Sequence, residues 1–182
     1  MVVLYETERL LVRRWEEKDC NDLYEYAKEK EVTKFLTFEP YSDLSVAVER
    51  IEKLRAEYLV EEVNGDFAIE LKEENKVIGS ITIAKYKEKN EGELEIGYLL
   101  SLNYQGKGYM TEALKGMFKY IKLNKIAKRI YLRHDTENVK SGNVMKRAGM
   151  TFEGILRKAG SNNYHSRHDL ALYSILDEEI EI

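Results

Sequence analysis

The sequence predicts a single α/β (α+β) domain spanning residues 1–182, built on one mixed, twisted sheet of about seven strands with helices on both faces. Three observations carry this expectation. Strand-like and helix-like apolar periodicities follow one another along the whole chain, with no repeat, low-complexity tract or linker between them. The composition is that of an ordinary globular domain, 43% hydrophobic and 34% charged with one proline in 182 residues, long enough to bury a core. A glycine-containing joint, Gln105-Gly106-Lys107-Gly108, connects a strand-like run to the most strongly amphipathic helix-like run.

The elements follow in order. Leu10 to Trp15 reads as the first strand and Lys18 to Glu29 as a helix with Leu23, Tyr26 and Ala27 on one side. Ser45 to Tyr58 reads as a second helix, its stripe formed by Val46, Ile51, Leu54 and Tyr58 and its start capped from the Asp43/Ser45 region. Asn64-Gly65 marks a turn. Asp66 to Leu71 and Lys76 to Ala84 then form an antiparallel pair around Glu73-Glu74-Asn75. Glu93 to Ser101 is the next strand. Tyr109 to Leu123 is a helix through Met110, Ala113, Leu114, Met117, Phe118 and Ile121. Ile130 to Arg133 is a short strand, and Ser141 to Ala148 a helix closed by Gly149. Two strands complete the chain, around Arg157 to Gly160 and Leu170 to Ile175.

Residues 1–15 contain neither a signal-peptide apolar run nor a membrane span, and the single cysteine, Cys20, has no internal disulfide partner; a cytoplasmic location is expected. Cys20 lies beside Asp19 and Asp22, which disfavour a thiolate, so it reads as a packing residue. The net charge of −4 is uneven: residues 1–75 carry −9 and the remainder +5. Seven basic residues and no acid occur from Lys115 to Arg133. Such a run suits nucleic acid, a solvated helix face or a phosphate-rich ligand. The acidic first half favours a cationic acceptor.

The joint at Gln105 to Ala113 holds the chemistry. A glycine turn opening into a helix leaves N–H groups unpaired at the positive end of the helix dipole, which is an anion site. A Walker A loop is excluded by spacing: Ser101 stands at the first glycine position, and Gly108 replaces the Ser or Thr after Lys107. A dinucleotide fingerprint fails at Thr111, where the third glycine belongs. The remaining alternatives are a glycine-capped joint without ligand and a different phosphate-binding signature. Gln105-Gly106-Lys107-Gly108-Tyr109-Met110 resembles the Q/R-x-x-G-x-G/A signature of the GNAT superfamily of acetyltransferases, with Met110 departing at the last place. The longer string through Ala113 resembles the RimJ/RimL branch, the ribosomal-protein N-terminal acetyltransferases and their relatives.

A second block, Glu137-Asn138-Val139-Lys140-Ser141, is similar to the E-N-x-x-S of that branch, one helix and one strand after the loop. Its simpler reading is a capped helix start. The resemblance implies a GNAT-like fold over nearly the whole chain and acetyl transfer from acetyl-CoA to a primary amine by direct transfer in a ternary complex. Homodimers are common in the family, and neither membrane nor direct nucleic-acid partners are implied. It places Leu99, Leu100, Gln105, Gly106, Lys107, Gly108, Tyr109, Met110, Thr111, Asn138, Ser141 and Lys146 at acetyl-CoA, with strand N–H groups for the oxyanion. Glu95, in Leu94-Glu95-Ile96-Gly97-Tyr98, is the expected base or water-positioning group, and Ser141 the group at the thiol sulfur. Met145 occupies the position where many family members have a general-acid Tyr. Tyr164 and His165 are expected at the acceptor. His165 and His168 are too few ligands for a metal, and none is expected. Rival readings are a small-amine acetyltransferase for polyamines or aminoglycosides, an acyl-CoA sensor without turnover, and a nucleic-acid binder using the basic run.

Overall fold

The computed structural model describes residues 1–59, 64–84 and 92–182. Strands β1 (Val3–Glu6) and β2 (Leu10–Arg13) are followed by helices α1 (Cys20–Ala27), α2 (Lys30–Thr33) and α3 (Leu44–Glu57). Strands β3 (Gly65–Leu71), β4 (Lys76–Ala84) and β5 (Glu93–Leu100) then lead into α4 (Tyr109–Leu123). The chain ends with β6 (Arg129–Asp135), α5 (Val139–Arg147), β7 (Thr151–Gly160) and β8 (His168–Leu176).

The described strands form one sheet in the order β1-β2-β3-β4-β5-β6-β8-β7, with β5 and β6 the parallel pair. Strand alternation sorts the layers. Tyr5, opposite Val12, reaches α4 by donating its hydroxyl to the Ala113 carbonyl at 2.7 Å. Arg13 and Asp66 project from the other face, toward Asp19 just before α1 and Arg50 of α3. Part of the core lies between α4 and the sheet, where Leu114 and Met117 join Val12, Ile69, Ile81, Leu94 and Ile96; Leu23 and Tyr26 of α1 and Ile51 and Leu54 of α3 belong to the same buried cluster. On the other face Arg13 is fully buried between Asp19 and Glu70, each within 2.8 Å. Burial of Cys20, with Asp19 next, pushes its thiol above the ordinary value, in keeping with a packing role.

Three expectations need correction. Among the described residues the sheet has eight strands, because β1 precedes the strand expected first; it is a four-residue edge strand, too short to show periodicity, and is held by β2 and α4. The helix expected over Lys18 to Glu29 is a 3-10 turn (Glu17–Asp19) followed by α1, which stops at Ala27; the single-turn α2 follows beyond the expected range. Strand β6 extends beyond Ile130 to Arg133 because β8 pairs with it from Arg129 to Asp135. Asp43 caps α3 by accepting from the Ser45 N–H at 2.9 Å, as expected.

Candidate active site

The parallel rungs between β5 and β6 stop early. They join Glu93 to Arg129, Leu94 to Ile130 and Glu95 to Tyr131. Beyond them β5 continues with β4 as far as Leu100, and β6 continues with β8 as far as Asp135. The two strands therefore part at their C-terminal ends, where open α/β sheets receive ligands. The Ser101 N–H donates to the Ile78 carbonyl of the β4 side at 2.8 Å. Two-residue alternation then turns the backbone polar groups of Leu100 the other way, into the gap.

Helices α4 and α5 begin on either side of this gap. A cleft of about 910 Å³ runs between them, lined by Tyr98 to Leu100, by Gln105, Gly106 and Gly108 to Thr111, and by Asn138 to Ser141. Its far wall is the α2 segment, with Glu31, Lys34, Phe35 and Leu36. Gly106 and Gly108 have φ of 79° and 83°, the left-handed region that a side chain adopts at a cost. A Cβ on Gly106 would meet nothing within 4 Å, so the loop's outer face is open. Gly108 is the N-cap of α4 and offers no capping side chain, leaving the first N–H groups of a 15-residue helix for an anion.

The loop is braced from both sides. Gln105 donates from Nε2 to the Leu100 carbonyl at 3.2 Å and accepts at Oε1 from Lys140 Nζ at 3.2 Å. Arg9 donates to the Lys107 carbonyl at 3.1 Å, pairs with Glu112 at 2.6 Å and lies over the Tyr109 ring. Thr7 and Arg9 hold the Glu112 carboxyl below its usual range against the opposing effect of burial.

On the opposite wall Asn138 accepts from the Ser141 N–H at 3.3 Å, the expected cap of α5. Tyr98 lies directly across: its Oη is 2.7 Å from Ser141 Oγ and 2.9 Å from the Ser141 carbonyl oxygen. Burial pushes the Tyr98 phenol well above its ordinary value, with the Ser141 hydrogen bond acting in the opposite direction.

The expected residues divide into three groups. Leu99, Leu100, Gln105, Gly106, Gly108, Tyr109, Met110, Thr111, Asn138 and Ser141 are brought together on the cleft. Lys107 turns its ammonium over the Tyr104 ring, 5.2 Å from the centroid, and belongs to the loop through its backbone. Lys146 stands exposed near His134, where its charge helps lower the His134 pKa; Arg147 lines the cleft. Glu95 occupies the last rung before the strands part, on the face opposite Leu94 and Ile96. Its oxygens are engaged by the Arg133 fork at 2.7 and 2.9 Å.

Tyr164 and His165 sit beside the α2 wall. Tyr164 packs edge-on against Phe35 under the Lys34 ammonium, and His165 is 3.1 Å from Glu137, which lines the cleft. Asn163 fastens this loop to the wall through the carbonyls of Thr33 and Phe38. The basic run does not make one surface: Lys122 binds the Ile180 carbonyl, Lys128 pairs with Asp177, Arg129 with Glu93 and Glu153, and Arg133 with Glu95. Sequence reasoning passed over Tyr98, although its alternation with Leu94 and Ile96 directs it to the helix side. It also passed over Glu31 of α2 and Lys34 and Phe35 just after it, which reach the cleft with no periodic signal.

A parted parallel strand pair with an uncapped glycine turn at one wall offers an anion-binding gap in the sheet. Residues 9–151 match the acetyltransferase (GNAT) domain. The chain is 34% identical over 157 residues to the uncharacterized N-acetyltransferase p20 of Bacillus licheniformis, covering 86% of each. The structure of a GNAT-family acetyltransferase from Bacillus anthracis superposes with a TM-score of 0.82 at 29% identity, covering 98% of this chain and 99% of that one. The microcin C7 self-immunity acetyltransferase MccE, solved with acetyl-CoA and AMP, gives a TM-score of 0.81 at 25% identity over 93% of both chains. The chain belongs to the GNAT acetyltransferase family. It is an N-acetyltransferase, and acetyl-CoA is its acetyl donor. Among the described residues no helix is long and apolar enough to cross a membrane.

Proposed function

We propose that the protein is a cytoplasmic enzyme of RimJ/RimL-like type that acetylates a primary amine, with a protein N-terminal α-amino group as the leading acceptor. The observation that carries this reading is one continuous cleft. It runs from the open glycine turn, past the Tyr98–Ser141 contact, to a wall bearing Glu31 and Glu137. The turn at Gln105 to Thr111 is assigned to the pyrophosphate, and Asn138 and Ser141, which line the same cleft, to the thioester arm. Acetyl-CoA supplies an activated acyl group; the protein's part is to orient it and stabilise charge.

The Leu100 N–H faces the gap and is assigned to the oxyanion. Ser141 Oγ is assigned to the departing sulfur. Glu95, at the end of the paired rungs, is assigned to ordering a water that takes the amine proton, because Arg133 already occupies both its oxygens. Cys20, buried in α1, leaves direct transfer in a ternary complex as the route. Phe35, Tyr164 and His165 are assigned to the acceptor entrance. The carboxylates of Glu31 and Glu137 favour a second reading, a small polycationic amine such as a polyamine or aminoglycoside.

Thiol release from acetyl-CoA, measured with N-terminal peptides, polyamines and aminoglycosides, tests the proposal. Turnover with peptides supports the leading reading, and turnover with small amines alone replaces it with the second. Tight acetyl-CoA binding with no release from any acceptor would overturn both in favour of a sensor.

A further inference from the structure

Ser141 has one hydroxyl proton and two places to send it. Tyr98 Oη lies 2.7 Å from Ser141 Oγ, and either oxygen of that contact can donate. If Ser141 donates to Tyr98, its proton is committed inside the protein and its Oγ presents only lone pairs to the cleft. If Tyr98 donates to Ser141 Oγ, the Ser141 proton is released to point at whatever lies in the cleft. A competing acceptor for the Tyr98 proton, the Ser141 carbonyl, lies at 2.9 Å, slightly farther than Oγ.

Both residues line the same cleft, and both are held. Tyr98 is on β5, past the last rung shared with β6, and Ser141 is fixed in the first turn of α5 by the Asn138 cap. The phenol is largely buried, which disfavours the phenolate and keeps Tyr98 a donor. The place where many family members carry a general-acid tyrosine holds the fully buried Met145.

We propose that Tyr98 is a positioning residue that donates to Ser141 Oγ and so aims the Ser141 O–H at the coenzyme sulfur. The inference rests on the acetyltransferase reading of the cleft. In the reaction the new C–N bond forms and the C–S bond breaks, its electron pair remaining on sulfur. The surplus proton on nitrogen passes to water, and the thiolate, held by the Ser141 O–H, later takes a proton from water. Tyr98 keeps its own proton throughout. Its work is to stabilise the thiolate through Ser141 without changing charge.

The test needs no acceptor. Free coenzyme A is bound to the protein, and its thiol is titrated by thiolate ultraviolet absorbance in the wild type, Tyr98→Phe, Ser141→Ala and the double variant. A hydrogen bond to a charged sulfur lowers the bound thiol's pKa by roughly one unit relative to free coenzyme A. The expected result is that Tyr98→Phe and Ser141→Ala each return most of that shift, and that the double variant returns no more than either alone. Phenylalanine keeps the ring, so unchanged coenzyme A affinity certifies the packing; Ser141→Ala provides the same readout from the other partner. A wild-type shift that survives Tyr98→Phe, or effects that add in the double variant, would overturn the proposal. Failure of the wild type to bind coenzyme A would instead overturn the reading of the cleft. With an acceptor in hand, Tyr98→Phe is expected to lower kcat about tenfold or more with little change in KM for acetyl-CoA.

Discussion

Substituting alanine for Gly79 tests the geometry of the cleft from behind. Gly79 of β4 pairs with Leu100, the last residue of β5. A Cβ there would overlap the Leu99 carbonyl oxygen and stand 3.1 Å from both Cα and Cδ1 of Leu100. Ordinary contact between such atoms begins at roughly 3.5 Å, so the β5 backbone would have to retreat by about 1 Å. That retreat moves the Leu99–Leu100 segment toward the gap and with it the Leu100 N–H assigned to the oxyanion. Overpacking of this kind costs about 1–3 kcal/mol, and a chain of this size loses roughly 2–4 °C in Tm per kcal/mol. Misplacing a reacting group by about 1 Å can cost on the order of 100-fold in rate. Gly79→Ala is therefore expected to lower Tm by several degrees and to lower kcat far more than the lost stability explains, read by thermal unfolding and by thiol release at a temperature where the variant is folded. A folded variant with the wild-type kcat would refute both the close approach and the assignment of Leu100.

Two further predictions concern groups away from the cleft. Arg13→Met removes the cation shared by the buried carboxylates of Asp19 and Glu70, and should cost about 3–5 kcal/mol in urea unfolding; a loss near zero would show that the carboxylates find other partners. Burial, aided by the Lys146 charge, lowers the His134 pKa against the pull of Asp135, while the unfolded chain binds a proton near the ordinary value of 6.5. Stability should thus fall as pH drops below about 6.5, and His134→Phe, which keeps a ring stacked on Tyr173, should lessen that fall; identical pH profiles would exclude the contribution.

Much of this molecule was legible in the sequence. Helix α4 was clear because its buried residues, Met110, Ala113, Leu114, Met117, Phe118 and Ile121, repeat at the helical period. The α5 start was legible because Asn138 is a local cap, needing only its own neighbours. Strand β1 and helix α2 were not, since four residues hold about one helical turn or two strand repeats, too few to establish a period, and their pairing is supplied from elsewhere in the fold. The cleft shows the same division. The glycine turn is written in contiguous residues, whereas the partner of Ser141 lies 43 residues away on strand β5. Glu95 was visible on its strand, but its engagement by Arg133 depends on the register between β5 and β6, which no local pattern encodes.

The parting of β5 and β6 has a mechanical meaning. Among the described residues the sheet is two ladders, β1 to β5 and β6 to β8, sharing three parallel rungs. A ligand that grips the glycine turn on one ladder and the α5 start on the other acts as a further rung between them. Its binding free energy is then also cohesion between the two halves of the sheet, so occupancy and resistance to unfolding rise together. The protein is held together most firmly when it is loaded to work.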